Sequence, residues 1–184
     1  MDRQTAVDLL RENLKNKNLF KHCLALEAVM SKIAEHFGED AKTWGLAGLL
    51  HDLDYEETLT DPQRHTLIAA EKLKEAQAPV EIINIIKAHN SEALGIARES
   101  RADKAIYAAD PLTGLIVAAA LIHPDKKLNS IDTQFVLNRF KEGGFARGSN
   151  REQIKTCDEL GLSLEKFVSL GLKAMQEIAA DLGL

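Results

Sequence analysis

Apolar residues recur every three or four positions along almost the whole chain, and no run alternates apolar and polar between turn residues. This pattern predicts an all-α fold. A first helix is expected from about Arg3 to Lys15, with Val7, Leu10 and Leu14 on one face, interrupted at Asn16-Lys17-Asn18. A second runs from about Leu19 to His36, turning Leu19, Leu26, Val29 and Ile33 inward, with Gly38 as its C-cap. The third spans Asp40 to about Asp52. Asp61 is expected to cap the next, with Pro62 at its first helical position and an end near Gln77. Pro79 starts another, carrying Ile82, Ile83, Ile85 and Ile86 to His89. From about Ala102 to Ile122 the pattern is again helical, and Pro111 should kink it or begin a new helix after Asp110. The remaining helices are expected over Ile131 to Lys141, from a Ser149-x-x-Glu152 capping box to about Leu160, and from Ser163 to about Leu182. The pattern therefore predicts a bundle of about eight to ten helices. It forms one domain over residues 1–184, without repeat, low-complexity tract or linker.

Projected at helical spacing, the same faces carry polar residues that do not belong in a core. His22 falls in register with Leu26, Val29 and Ile33, and His51 follows Leu46, Leu49 and Leu50 with Asp52 beside it. His65 shares a face with Ile68, Ala69 and Leu73, His89 with Ile82, Ile85 and Ile86, and Asp110 with Ile106, Thr113 and Val117. Burying a neutral polar group without a partner costs on the order of 2–7 kcal/mol, and a carboxylate costs more. A divalent cation compensates such groups directly. Neutral imidazole and carboxylate oxygen suit Mn, Fe, Co, Ni or Zn, and four histidines with two aspartates exceed what one open ion needs. Two ions bridged by one carboxylate would use all six. A single histidine on an apolar face is more often a hydrogen-bonded core residue, so the weight lies in the six together. His36 is read instead as a cation at a helix C-terminus, His123 as a loop residue and Cys23 as a buried structural thiol.

Composition narrows the partners. Lys plus Arg number 23 against 28 for Asp plus Glu, a formal charge of −5, so neither a nucleic-acid polymer nor an anionic membrane is an expected partner. With 45% hydrophobic and 28% charged residues the chain should fold. Two cysteines in no metal-binding or redox spacing point to a reducing cytoplasm. Met1 to Asn13 lacks the pattern of an export signal, and the apolar stretch Leu112 to Ile122 is expected to be too short to span a bilayer.

The order His22, His51-Asp52, Asp110 resembles the H…HD…D signature of the HD-domain superfamily, helical metal-dependent phosphohydrolases. The pair at the end of an apolar helix, GLLHDLD, is its most specific part, and His65 and His89 look like the extra histidines of binuclear branches. NLFKHCLALEAVM, WGLAGLLHDLDYE and FARGSNREQI look like a subgroup of predicted HD hydrolases carrying HDLDYE. The resemblance implies that His22, His51, Asp52 and Asp110 hold a first ion and Asp52, His65 and His89 a second, with Asp52 as the bridge. The chain departs from the cyclic-dinucleotide branch, which has Lys after HD and paired histidines where this chain has His89-Asn90.

The activity expected is hydrolysis of a small phosphoester, a nucleotide or related phosphate, by a water activated by one or two metal ions. Asp52 and Glu56 are the candidate catalytic carboxylates, and Asp54, like Glu56, is a candidate to orient a ligand or shuttle a proton. Lys21, Arg147 and Arg151 are candidates to hold phosphate oxygens, the two arginines lying in a Gly-rich loop that opens a helix. The same ligand inventory also fits a di-iron oxygenase acting on a polyol or phosphonate, or a metal-bearing binding module without turnover.

Overall fold

Short polar side chains set where the helices begin in the computed structural model, which describes residues 1–184. Asp2 accepts from Thr5 N ahead of α1 (Arg3–Asn13), Asn16 caps α2 (Lys17–Phe37), and Asp40 caps α3 (Ala41–Leu50). After the short α4 (Tyr55–Thr58) come α5 (Leu67–Glu75), α6 (Val80–His89) and α7 (Ser91–Leu94). Ser100 and Asp103 form a reciprocal capping box at the start of α8 (Arg101–Ile122). The chain ends with α9 (Thr133–Lys141), α10 (Arg151–Lys155), α11 (Leu164–Glu177) and α12 (Ala179–Leu182), and 3-10 turns lie at Leu128–Ser130 and Thr156–Leu160. There is no strand. Twelve helices replace the eight to ten expected because α4 and α7 are single turns and Ile178 separates α12 from α11.

Helix α2 is central: it lies along α3 and also meets α8 and α11, while α6 bridges α3 and α8. The buried apolar residues form one cluster reaching from Ala6 in α1 to Leu182 in α12. The closest approach to backbone is at Gly48, where a Cβ would stand 2.7 Å from the carbonyl oxygen of Leu26. That contact brings the third turn of α2 up against the end of α3.

Three local expectations are corrected. The chain does not turn helical at Pro62: residues 61–66 form turns, Thr66 sits in the left-handed region at φ 69°, and α5 begins at Leu67. The reason is a remote cap. The Asp54 carboxylate accepts the Ala69 N–H at 2.8 Å and His65 Nδ1 at 2.7 Å, fixing the start of α5 from eleven to fifteen residues upstream. The cap of α10 is Asn150, which accepts from Glu152 N and Gln153 N, and not Ser149, whose side chain makes no such bond. Finally, of the two outcomes expected at Pro111 the new helix is not seen, since α8 continues through it as one helix.

Proline leaves the carbonyl four residues earlier, that of Tyr107, without its N–H donor. The side-chain amide of Gln153 donates to that carbonyl at 2.8 Å. Gln153→Leu is therefore expected to cost about 1–3 kcal/mol by orphaning a buried acceptor. Thermal melts should show the midpoint falling by about 2–4 °C per kcal/mol; an unchanged midpoint would mean that water takes over the bond. By length and composition α8 is also apolar enough to cross a membrane, which the expectation for Leu112 to Ile122 did not foresee. Its Ala105, Ile106, Ala109, Leu112, Ile116 and Ala119 are buried inside the bundle.

Candidate metal centre

The six inward-facing polar residues are delivered by five separate stretches of backbone. His22 lies on the second turn of α2, His51 and Asp52 in the turn that closes α3, and His65 in the turn before α5. His89 is the last residue of α6, and Asp110 lies mid-way along α8. They converge. His22 Nε2 stands 3.1 Å from His51 Nε2 and 2.9 Å from Asp110 Oδ1. Asp52 divides its carboxylate: Oδ2 is 3.3 Å from His51 Nε2 and 3.7 Å from His22 Nε2. Its Oδ1 is 3.4 Å from His65 Nε2 and 3.8 Å from His89 Nε2. His89 Nδ1 in turn lies 3.7 Å from Asp110 Oδ2.

The outer nitrogens of three rings are anchored, which fixes their tautomers. His51 Nδ1 donates to the Gly48 carbonyl at 2.8 Å, and His65 Nδ1 to Asp54 Oδ1 at 2.7 Å. Thr113 Oγ1 donates to the Asp110 carbonyl at 2.8 Å and accepts from His22 Nδ1 at 2.9 Å. All three Nε2 atoms are thereby turned inward. Charge is distributed unevenly among them. Burial works against ionised Asp52, but His51, His65 and His22 hold it well below the usual carboxylate range. Burial is likewise outweighed at Asp110, which His89 and His22 hold down to about 2. At His65, burial is overcome by Asp52 and Asp54, which raise it to about 9. His22 is also raised, by Asp110 and Asp52 against burial. At His89, burial with His51 and His65 alongside prevails over the aspartates and pulls the ring down to about 4.

These residues fit a divalent cation. Two ligands at about 2.1 Å from one ion, at octahedral or tetrahedral angles, stand about 3.0–3.4 Å apart. The His22–His51, His51–Asp52 and His65–Asp52 separations of 3.1, 3.3 and 3.4 Å fall in that range. His65 Nε2 and His89 Nδ1 are buried with no hydrogen-bond partner, a costly condition that a cation removes for an atom coordinating it. Three overlapping groups of potential ligands can be drawn: His22, His51, Asp52; His51, His89, Asp110; and Asp52, His65, His89. Asp52, His51 and His89 each belong to two of them. The donors are all nitrogen and oxygen, as Mn, Fe, Co, Ni and Zn accept.

A match of residues 19–120 to the model of the HD domain family covers every one of these six residues. The chain belongs to the HD domain family. HD domains are metal-dependent phosphohydrolases that bind divalent ions, so family and donor set agree. No solved structure matches the chain. The FARGSNR loop and the last helices lie outside the HD domain match.

The other candidates separate. Lys21 lines a cavity of about 460 Å³ that also takes in His22 and Thr113. Arg147 is exposed, in a loop whose Ser149 side chain abuts Gly114 of the same cavity. Arg151 is not presented to a ligand: its guanidinium donates to the carbonyls of Phe140, Phe145, Ala146 and Ser149. A Gly-rich loop lacks helical partners for its carbonyls, and Arg151 supplies them. Glu56 is likewise committed elsewhere, accepting the backbone N–H groups of Lys15 at 2.7 Å and Asn16 at 3.0 Å where α1 meets α2. Asp54 orients a ring, as one of its two readings had it. Sequence reasoning missed the roles of Gly48 and Thr113; Thr113 was legible as the hydroxyl one turn after Asp110. A larger recess of about 560 Å³ beside Trp44 contains none of the six and is walled by Glu39, Glu81, Glu99 and Asp103, a poor setting for an anion.

Proposed function

We propose that the chain is a binuclear phosphohydrolase in which Asp52 bridges two divalent ions and a small phosphoester is cleaved. The observation that carries this reading is the division of the Asp52 carboxylate, Oδ2 toward His22 and His51 and Oδ1 toward His65 and His89. His22, His51, Asp52 and Asp110 would hold one ion, and Asp52, His65 and His89 the other. Bound there, the ions would lower the pKa of a water and stabilise charge developing on phosphorus. The protein's own residues do the rest. Gly48, Asp54 and Thr113 keep three Nε2 atoms aimed inward, and Lys21 offers an ammonium to non-bridging phosphate oxygens from the neighbouring cavity. Arg11, Lys15 and Lys17 line a shallow recess with Lys21 that contains one acid, Asp181, so an anion approaching Lys21 meets a basic strip on an otherwise acidic chain. Arg147 is exposed in the loop whose Ser149 abuts Gly114.

The HDLDYE likeness, the small phosphorylated partner and a cytoplasmic setting belong to the same reading; both cysteines are free and buried. The test is phosphate release from a panel of phosphomonoesters and phosphodiesters, nucleotides included, with Mn, Co, Ni, Fe, Zn or Mg supplied. Turnover that His51→Ala abolishes is expected. Absence of turnover across the panel, or turnover that survives His51→Ala, overturns the reading, and activity with redox-inert Zn or Mg separates it from oxygenase chemistry.

Metal uptake should also be proton-linked. Asp52 and Asp54 raise His65 to about 9, so at neutral pH that ring is charged before metal arrives and must lose its proton to coordinate. His89, pulled down to about 4, is already neutral. His22 is raised as well, so affinity should rise at least about tenfold per pH unit from about 7 toward 9 and level off above. Calorimetry in buffers of different ionisation enthalpy checks this: at least one proton released per chain near pH 7 is expected, from His65 and from the raised His22, and none would contradict it.

A further inference from the structure

The cavity beside the cluster differs in character from the cluster itself. Polar Lys21, His22 and Thr113 line it together with aliphatic Val117, Leu121 and Leu182, and the Lys21 ammonium lies beside Gly183. At about 460 Å³ it is larger than a phosphate needs and within the range of sites that take small organic molecules. Three features restrict what fits. Apart from His22 no lining residue is aromatic, so a nucleobase finds no stacking platform. Lys21 is the one lining cation, which suits a single phosphate rather than a polyphosphate chain. No lining side chain is a carboxylate, so no side chain of the cavity repels that phosphate.

We propose that the substrate is a phosphomonoester of an aliphatic alcohol, with its phosphate between Lys21 and the cluster and its alkyl body along Val117, Leu121 and Leu182. This rests on the phosphohydrolase reading and names its substrate class. In the reaction the oxygen of water bonds to phosphorus and the ester P–O bond breaks with its electron pair on the alkyl oxygen. A water proton ends on that oxygen, so the products are the alcohol and inorganic phosphate. The aliphatic wall touches neither reacting bond and acts through binding.

The experiment uses the full-length, Mn-loaded protein and primary alkyl phosphates from ethyl to octyl, beside nucleoside monophosphates and ATP. kcat/KM is expected to climb roughly fourfold per methylene buried until the cavity is full, with nucleotides below the longer alkyl esters. Val117→Asp should flatten that climb. In parallel, alkylphosphonates of the same lengths, which cannot be hydrolysed, are titrated by calorimetry, and their affinity should rise with length in the same way. A flat dependence on length in both series, or faster turnover of nucleotides than of any alkyl phosphate, overturns the inference. If no ester is hydrolysed at all, the phosphohydrolase reading fails, and the phosphonate series alone still decides whether the cavity takes an alkyl phosphate head and tail.

Discussion

Asp52→Asn is expected to lower kcat/KM at least about a thousandfold while leaving the helical content unchanged. The amide preserves the volume of the side chain but offers no anion to either side of the cluster, where Oδ1 and Oδ2 face different histidine pairs. Stabilisation by bound ions of charge developing in phosphoryl transfer is worth several kcal/mol, and about 1.4 kcal/mol corresponds to each factor of ten. Removing a shared ligand should forfeit most of it. Steady-state turnover in saturating Mn is the measurement, with far-UV circular dichroism to show that the bundle persists. The matched comparison is Glu56→Gln, which the candidate role from sequence would also make inactive. Because the Glu56 oxygens are tied to Lys15 N and Asn16 N, that variant should keep its turnover and lose only some stability. Equal loss in both variants would contradict the assignment.

Gly48→Ala should be strongly disruptive, because its methyl meets backbone. Its Cβ would lie 2.7 Å from the Leu26 carbonyl oxygen and 2.8 Å from the carbonyl carbon, both backbone atoms of α2 that cannot rotate away. Overpacking costs about 1–3 kcal/mol where side chains yield, and more where the backbone must move. A loss of about 3 kcal/mol or more is expected, lowering the thermal midpoint by about 6–12 °C. The same variant should weaken metal binding about 10- to 100-fold, because the Gly48 carbonyl is the acceptor that orients His51. Gly143→Ala, whose Cβ would meet nothing within 4 Å, should change neither quantity. A midpoint for Gly48→Ala equal to that of Gly143→Ala would show that α2 and α3 are not in the contact described.

Much of the centre is legible in the hydrophobic period. His22, His89 and Asp110 were placed inward because they share faces with residues that are indeed buried, such as Leu26, Ile86 and Ile106. His65 was placed inward for a reason the structure does not bear out. It precedes α5 instead of riding on it, and it is held by Asp54, a contact across eleven residues that no local period encodes. Arg151 and Glu56 show the same limit from the other direction. A cation in a Gly-rich loop and an acid after the His-Asp pair have the right chemistry for a site, yet each is spent on backbone groups that lack partners. Which use prevails depends on the tertiary placement of those groups. Gly48 did carry a signal, since a glycine inside an apolar helix costs about 1 kcal/mol relative to alanine and so marks a close approach.

In the proposed reading Asp52 would stand between two ions, and metal stoichiometry tests that most directly. Protein purified without oxygen, incubated with Mn and freed of excess, should contain about two ions per chain by elemental analysis in the wild type. Asp52→Asn, folded and treated identically, should retain at most one. A wild-type value of one or none, or a value that Asp52→Asn leaves unchanged, would contradict the account.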